Sequence, residues 1–343
     1  MSDKQWDVYV YGDVNADIIV PGVREVPPYG QEKIIDVIET FVGGGAALFA
    51  LGTGKLGLRT VFQGKVGADC YGEFIRASMA AVHVDTSFLQ ISPNQKTGIS
   101  ISFTDSSDRS FLTYMGTNRE VDITEVDIWQ AAKARHIHIT GYAGKTNHEK
   151  YMIILKELKK LNDITVSFDV GWDDSGEWYE GIYDLMPYID IMFMNETEAV
   201  HYARTEDARK AVALFAEKGP LTVGKFGKKG AYAVQNKEAY EAKAFQVEAV
   251  DTTGAGDSFN AGFIYGYLTG HTITECLKFG NACGAMSVTK LGGNSGFPLR
   301  SELHDFMEEK EERIENNCYW RCRCQDGYLY QWSFKAISSI KHR

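Results

Sequence analysis

Short apolar, β-branched runs alternate along the chain with longer segments that have the apolar spacing of helices. This alternation continues from the N-terminus to about residue 225 and predicts a parallel sheet covered by helices on both faces. The predicted strands are Val8–Tyr11, Thr60–Val66, His136–Thr140, Thr165–Asp169, Ile189–Met194 and Thr222–Lys225, and the predicted helices between them are Gly45–Leu56, Tyr71–Ala81, His148–Leu161 and Ala208–Lys218.

The order of elements changes after residue 225. Two short apolar runs, Ala231–Gln235 and Tyr240–Ala244, predict strands that lead into a glycine-rich segment over residues 251–256. The apolar spacing then predicts two more helices, near Asp257–Leu268 and Thr274–Thr289. The second half of the chain therefore does not repeat the alternation of the first half.

Two segments do not fit the alternation and predict a small separate β-sheet. Residues 17–40 contain the apolar runs Ile18–Val20 and Lys33–Thr40 on either side of a loop that carries proline and glycine. Residues 97–118 contain a predicted hairpin with Asp105–Arg109 as its turn. We expect the two segments to form a lid over the main domain. The alternative is a pair of edge strands that take no part in closure.

Composition narrows the class of protein. The 343 residues are 44% hydrophobic and 24% charged, which is typical of a globular protein that buries its core without disulfides or a structural metal. The net charge of −10 argues against a general affinity for nucleic acid or for an anionic membrane. The sequence has neither a signal-peptide pattern nor an apolar stretch of transmembrane length. We therefore expect a cytoplasmic protein.

The last 30 residues differ in character from the rest. Residues 314–343 are basic, aromatic and rich in cysteine, and they follow an acidic helical pattern. Cys318, Cys322 and Cys324 lack the paired Cys-x2-Cys spacing of common zinc sites. We predict a main domain over residues 1–313 and a C-terminal extension over residues 314–343 whose role the sequence does not indicate.

The segment Asp251–Phe259, which reads DTTGAGDSF, carries the candidate chemistry. Gly254 and Gly256 free their amide N–H groups to face a ligand, and at a helix start these groups and the helix dipole form a cradle for an anion. Asp257 lies beside that cradle, where a carboxylate would repel a bound phosphate.

Its placement has a functional explanation, since Asp257 can accept the proton of an alcohol that attacks a phosphoryl group. The amides of Gly254, Ala255 and Gly256 would meanwhile stabilise the charge that develops on that group. The alternative is that Asp257 caps the helix and the glycines form a tight turn.

With this motif the sequence resembles the ribokinase-like (PfkB) carbohydrate kinase family, from about residue 6 to about residue 312. The resemblance implies an α/β fold, a ribokinase-like three-layer α/β/α sandwich with a small β-sheet lid. It also implies transfer of the γ-phosphate of Mg-ATP to a hydroxymethyl group of a small carbohydrate. In that reaction Asp257 is the general base and Gly254–Gly256 form the anion hole.

Further positions match the family's substrate site. In the segment Gly12-Asp-Val-Asn-Ala-Asp17 the resemblance assigns Asn15 and Asp17 to substrate binding, and a carboxylate suits a vicinal diol because it accepts two hydrogen bonds. Gly43 and Gly44 match a Gly-Gly signature that lets the backbone approach the sugar. Leu48 stands where the family often has Asn, a departure that bears on the choice of substrate.

The nucleotide site is assigned in the same way. Asn195 and Glu198 match an Asn-x-x-Glu motif that positions water around Mg²⁺ near the phosphates, although they also fit a helix capping box. The remaining matches to ATP-binding positions are Lys225, Gly227, Gly230 and Asn281.

A monovalent-cation site is the last feature that the resemblance suggests. Asp251 and Thr253, with backbone carbonyls around Val288, Leu291 and Gly293, resemble the site that part of the family uses for K⁺. The alternative is that Asp251 only holds the loop.

Two other functions share these signatures. A nucleoside kinase would place lid aromatics against a base, and Phe103, Phe111 and Tyr114 keep this alternative open. Arg109 and Asn118 could instead serve a keto-acid or a phosphorylated sugar. A nucleotide-binding sensor without turnover is disfavoured by the intact Asp257 motif.

A dinucleotide-dependent dehydrogenase is also disfavoured, because no Gly-x-Gly-x-x-Gly follows the first strand. The expected partner is a small sugar, and we expect two copies of the chain to pair through the lid if its outer face is apolar.

Overall fold

The computed structural model describes residues 4–23, 26–104, 109–142, 144–173 and 175–310, without the side chains of residues 104 and 109. The chain divides into two compact units, Met1–Leu303 and His304–Arg343. In the second unit residues 304–310 are helical. The predicted turn at residues 105–108 and the extension 314–343 lie outside the described residues.

The first unit contains a nine-stranded sheet and a four-stranded sheet. The larger sheet consists of β1 (Trp6–Tyr11), β4 (Thr60–Gly67), β5 (Asp85–Ser92), β8 (Ala134–Thr140), β9 (Thr165–Asp169), β10 (Ile191–Asn195), β11 (Leu221–Lys225), β12 (Ala231–Gln235) and β13 (Glu238–Ala242). The smaller sheet consists of β2 (Asn15–Pro21), β3 (Glu39–Gly43), β6 (Gly98–Thr104) and β7 (Arg109–Tyr114).

Most of the helices lie between strands along the chain, and the last two follow the final strand. The helices are α1 (Gly45–Lys55), α2 (Cys70–Ala80), α3 (Ile128–Ala131), α4 (His148–Lys159), α5 (Ile182–Leu185), α6 (Glu196–Ala203), α7 (Ala208–Ala216), α8 (Ala255–Leu268) and α9 (Ile273–Ser287). Short 3-10 segments lie at Gly116–Glu120, Ile123–Glu125, Lys145–Asn147, Met186–Tyr188 and Gly227–Lys229. None of the described helices has the length and apolar character needed to cross a membrane.

The larger sheet has the strand order β13-β12-β11-β10-β9-β8-β1-β4-β5. Its strands are parallel except for β12 and β13, which join the edge at β11 in antiparallel fashion. Helices cover both faces. On one face α4 and α7 contribute Leu155 and Phe215 to a core that also contains Tyr9. On the other face Phe49 of α1 stacks on His138, and Phe263 of α8 packs edge-on against Phe193. The predicted three-layer α/β/α fold is therefore confirmed.

The smaller sheet has the order β3-β2-β6-β7. The predicted hairpin is present as β6 and β7, and the apolar run Ile18–Val20 lies in β2. The predicted strand Lys33–Thr40 is wrong for most of its length, because β3 begins only at Glu39. Apolar side chains of that segment remain at the surface, with Ile34 86% exposed. Their spacing consequently does not mark the buried face of a strand.

Candidate active site

Polar side chains follow neighbouring strands of the larger sheet at their carboxyl ends. Asp169 ends β9, Asn195 ends β10 and Lys225 ends β11, while Asp13 follows β1 by two residues. All four line one cavity of about 1020 Å³, which also contains Asp257. In a parallel sheet this edge is where ligands bind, because the loops that follow the strands converge there.

The glycine-rich motif forms a left-handed turn at the start of α8. Gly254 has a φ of 70° and caps the helix. A Cβ on Gly254 would lie 2.2 Å from the carbonyl oxygen of Gly293, so both the backbone conformation and the available space require glycine. The amides of Gly256 and Asp257 belong to the first helical turn, where no carbonyl of the helix lies four residues earlier. Gly256 and Asp257 both line the cavity, so the turn places amide donors without a helical partner beside it.

Asp257 lies in the first turn of α8, close to Gly45 at the start of α1. A Cβ built on Gly45 would lie 3.5 Å from Oδ1 of Asp257, which is an ordinary van der Waals contact, so the carboxylate lies directly beside the backbone of Gly45. Burial raises the pKa of Asp257 well above its usual value, and the negative charges of Asp169 and Asp13 raise it further. A carboxyl group in such surroundings takes up a proton readily.

Asp13 is a site residue that the sequence prediction did not single out. Its carboxylate accepts hydrogen bonds from the amides of Gly45 (3.0 Å) and Ala46 (3.1 Å), and from the hydroxyl of Thr140 (3.2 Å). It thereby binds the start of α1 to the ends of β1 and β8. A carboxylate at that helix end is stabilised by the helix dipole. The available signal was an acid directly after the first strand.

Lys225 lies at the end of β11 and its side chain reaches the glycine-rich turn at the start of α8. Its ammonium lies 2.6 Å from an oxygen of Asp169, which also accepts a hydrogen bond from the amide of Asn260. A Cβ on Gly256 would lie 3.3 Å from Nζ of Lys225. Burial alone would lower the pKa of Lys225, but the carboxylates of Asp169 and Glu198 outweigh it and raise that pKa. The lysine therefore carries its charge beside the turn.

Asn195 and Glu198 form a capping box at the start of α6. Asn195 accepts a hydrogen bond from the amide of Glu198 (2.8 Å), and Glu198 accepts one from the amide of Asn195 (2.7 Å). Both side chains also line the larger cavity. Burial, and next the negative charge of Asp169, raise the pKa of Glu198. The helix capping box that the sequence offered as an alternative is thus confirmed. It is compatible with a role of both side chains at the cavity.

Asp17 and Asn15 lie on β2 and line the same cavity. The amide of Asn15 donates a hydrogen bond to Asp17. A Cβ on the neighbouring Gly43 would lie 2.2 Å from Oδ1 of Asp17, so this glycine leaves space for the carboxylate. Gly44 lines the cavity with a φ of 94°. Burial raises the pKa of Asp17 to about 6, although the hydrogen bond from Asn15 lowers it.

A second cavity of about 320 Å³ adjoins the first one. It is lined by Gly227, Gly230 and Asn281, three positions that the sequence assigned to ATP. The amide of Asn281 is held by the carbonyl oxygens of Ala242 (2.9 Å) and Lys243 (3.2 Å). Lys225, Gly227 and Gly256 line both cavities, so the two spaces meet beside the glycine-rich turn at the start of α8.

The candidate cation loop is held by hydrogen bonds. Asp251 accepts bonds from the amide and hydroxyl of Thr253 (2.9 and 2.8 Å) and from the amide of Gly292 (2.9 Å). The carbonyl of Val288 accepts bonds from the backbone amides of Val250 and Asp251. Within the described ranges, no group of three or more His, Cys, Asp or Glu side chains is arranged to hold a metal ion.

The smaller sheet contributes one face to the larger cavity. Ser100 of β6 and Thr113 of β7 are paired across the hairpin, and both line the cavity. Because side chains alternate along a strand, Phe111 lies on the same face as Thr113, whereas Phe103 and Tyr114 lie on the opposite face. Two of the three aromatic residues considered for a nucleoside site thus belong to the outer face of this sheet.

Comparison with known proteins agrees with this geometry. The family model described as pfkB family carbohydrate kinase matches residues 6–300. An uncharacterized sugar kinase of Archaeoglobus fulgidus is 31% identical over 254 residues, which are 72% of this chain and 98% of that protein. A 5-dehydro-2-deoxygluconokinase of Shouchella clausii is 30% identical over 325 residues, which are 90% of this chain and 97% of that protein.

A solved structure gives the same result. The ribokinase of Arabidopsis thaliana, complexed with ribose and ATP, matches with a TM-score of 0.77 and 25% identity, and the match covers 88% of this chain and 98% of that one. The fold, the motif at the start of α8 and the family match thus agree with one another. The chain belongs to the pfkB family of carbohydrate kinases.

Proposed function

We propose that this chain transfers the γ-phosphate of Mg-ATP to a hydroxymethyl group of a small sugar, with Asp257 as the general base. One observation carries the proposal. Asp257 lies in the first turn of α8, where it lines the larger cavity next to Gly256, which lines both cavities. A base at that junction can contact an alcohol in the larger cavity and a phosphate that enters from the smaller one.

The residues have distinct tasks in the proposed reaction. The hydroxyl oxygen attacks the γ-phosphorus, its proton passes to Asp257, and the bond between the γ-phosphorus and the bridging oxygen breaks to leave ADP. The amides of Gly254, Ala255 and Gly256 stabilise the charge on the transferring group. Lys225 adds a positive charge beside them.

The donor set at this end of the cavity fits magnesium. Asp169, Asn195 and Glu198 offer the oxygen ligands that Mg²⁺ prefers, and an ion held mainly by phosphates and water needs few protein ligands. Bound Mg²⁺ would offset the charge of the phosphate oxygens. Asn195 and Glu198 would orient its water ligands.

The part of the larger cavity that Asp17 and Asn15 line, its substrate end, supports a sugar over a nucleoside. Asp17 and Asn15 together offer a carboxylate and an amide to hydroxyl groups, and both line the larger cavity. A nucleoside site would need aromatic surface from the lid, but Phe103 and Tyr114 lie on its outer face. Phe111, the third aromatic residue considered for a nucleoside site, lies on the cavity side of this sheet.

We include a monovalent cation and a dimer in the proposal. The oxygens of Asp251 and the nearby carbonyls suit a hard cation such as K⁺, which would stiffen the loop next to Gly254. The outer face of the smaller sheet carries Leu112 and Tyr114, which are 57% and 48% exposed. A second copy of this face would cover that apolar surface.

The direct test is release of ADP by the purified protein with Mg-ATP and a panel of sugars, sugar acids and nucleosides, in K⁺ and in Na⁺. We expect turnover that depends on one class of compound and disappears in Asp257→Asn. Binding of ATP without turnover of any compound would contradict the assignment of a kinase.

A further inference from the structure

The substrate end of the larger cavity has an acidic wall. We use this name for Asp13, Asp17, Asp122 and Asp173, which line the cavity. They come from the segment after β1, from β2, from the segment between the 3-10 turns after β7, and from the loop after β9. Asp122 forms an ion pair with Lys150, whose ammonium lies 2.6 Å away. The other three carboxylates are held by neutral donors.

The hydrogen bonds of these three carboxylates leave their charge in place. Asp13 accepts from backbone amides and from Thr140, and Asp17 accepts from the side-chain amide of Asn15. Asp173 accepts from the backbone amide (2.9 Å) and hydroxyl (2.6 Å) of Ser175 and from the amide of Trp178 (2.7 Å). Neutral donors stabilise the carboxylates without cancelling the field that they create in the cavity.

Positive charge is scarce in the same space. Among the described residues that line this cavity, Lys225 is the one with a positively charged side chain. Its ammonium lies 2.6 Å from Asp169, and Lys225 also lines the smaller cavity proposed for ATP. Proteins that bind a carboxylate or phosphate usually offer an arginine or lysine to it. The acidic wall offers the opposite charge pattern.

Arg109 and Asn118 are the residues that the sequence connected with an acidic substrate. Asn118 lines the cavity but is uncharged, and its side-chain oxygen accepts a hydrogen bond from the amide of Val14 (3.2 Å). Arg109 is the charged member of the two. Its backbone belongs to β7, where it pairs with Thr104 at the end of the hairpin far from Tyr114. Thr113, which lines the cavity, is four positions along the strand, or roughly 13 Å at the usual rise per residue. The placement of its backbone does not favour contact with a substrate at Asp17.

Trp172 adds apolar surface to the acidic wall. It lines the cavity, is 62% exposed, and packs edge-on against Trp178 with ring centroids 5.2 Å apart. An indole face suits the C–H surface of a sugar ring or polyol, while the carboxylates accept hydrogen bonds from its hydroxyl groups.

We infer that the substrate is a carbohydrate without negative charge, such as a neutral sugar or polyol, and not a sugar acid or sugar phosphate. This inference rests on the proposed kinase function. It also separates the chain from its relative from Shouchella clausii, whose name specifies a carboxylate-bearing substrate. The acidic wall, which repels anions, is the feature that sets this specificity.

The test compares neutral sugars with their acid or phosphate derivatives at pH 8. The pairs are ribose with ribonate, glucose with gluconate, and fructose with fructose 6-phosphate, together with 5-dehydro-2-deoxygluconate. We expect kcat/KM for the best neutral compound to exceed that for every anion by more than about 100-fold. Higher kcat/KM for any of the anions would overturn the inference while leaving the kinase assignment intact. Absence of turnover for all compounds would count against the kinase itself.

Two further measurements test the cause of the preference. Electrostatic repulsion is screened by salt, so the ratio between neutral and anionic compounds should fall several-fold as choline chloride rises from about 50 to 500 mM at constant K⁺. A ratio independent of salt would mean that shape, and not the acidic wall, excludes the anions. Arg109→Ala should leave the ratio unchanged, and a selective loss of activity on anions in this variant would contradict the inference.

Discussion

The ammonium of Lys225 lies 2.6 Å from a carboxylate oxygen of Asp169, and the two side chains are only 12% and 9% exposed. They come from β11 and β9, with β10 between them in the sheet. The pair thus fixes a positive charge next to Gly256, at a point that both cavities share. Because the pair is buried, removing one member leaves the other uncompensated.

Lys225→Met should therefore destabilise the fold by about 3 kcal/mol and abolish most activity. Lys225→Met combined with Asp169→Asn removes both charges, and we expect it to recover most of the stability but not the activity. Denaturant unfolding and assays of ADP release check the two readouts. Additive losses of stability in the double variant would mean that the pair does not interact as the geometry indicates.

Asp257→Asn should lower kcat by at least about 1,000-fold, since general-base catalysis contributes on that scale. ATP binding, measured by calorimetry, should change little because the variant keeps the shape of the side chain. Glu73→Gln is a matched control, being an exposed acid in the first turn of α2. A kcat near that of the wild type in Asp257→Asn would remove this residue from the role of base.

Gly254→Ala should lower both stability and turnover. The added methyl would meet the carbonyl oxygen of Gly293 at 2.2 Å, in a backbone conformation that alanine already adopts with strain. Gly270→Ala is the control, because Gly270 has a φ of 84° but nothing within 4 Å of its Cβ position. We expect Gly270→Ala to lower the melting temperature slightly at unchanged kcat. Equal effects of the two variants would mean that the contact with Gly293 is unimportant.

Substrate binding should weaken as pH falls through about 6. The pKa of Asp17 is raised to about 6, so below that pH the carboxylate gains a proton and loses its capacity as a double acceptor. Calorimetry with the identified sugar, without nucleotide, should show Kd rising up to about tenfold per pH unit. Asp17→Asn should bind weakly at every pH in this range. A Kd of the wild type that does not change with pH in this range would show that protonation of Asp17 does not affect substrate binding.

Leu112→Lys should convert the expected dimer into a monomer. Leu112 lies on the outer face of the smaller sheet, where a lysine would place a charge in the apolar contact. Trp129→Lys is the control, since Trp129 is 84% exposed but lies on α3, away from that sheet. Light scattering of the three proteins checks the mass. A wild-type protein that remains monomeric at micromolar concentration would contradict the dimer.

The strands of the parallel sheet were predictable because their apolar runs are buried on both sides. The parallel strand Thr165–Asp169 has the predicted bounds, and so has the antiparallel strand Ala231–Gln235. The edge strand Asp85–Ser92 was missed, because several of its side chains are exposed and its apolar pattern is weak. Helix Glu196–Ala203 was recognised through its capping box but not through its short apolar pattern.

Some residues of the candidate site were predictable from the sequence and others were not. The sequence pointed to Asp257 and Asp17 because they belong to recognisable motifs. It did not single out Asp13 or Asp169, since the importance of each comes from partners far away in the chain: Gly45 for the first and Lys225 for the second. An acid at the end of a strand was visible in both cases. Which strand ends lie next to one another can be stated only when the order of the strands in the sheet is known.

The turn before α8 depends on a loop that lies about 40 residues later in the sequence. Gly254 packs against the carbonyl of Gly293, and Asp251 accepts a hydrogen bond from the amide of Gly292. An insertion or a proteolytic cut in residues 291–294 would therefore disturb the proposed anion cradle without altering one letter of DTTGAGDSF. A homologue with an intact motif but a rebuilt loop at this position should accordingly be suspected of having lost turnover during evolution.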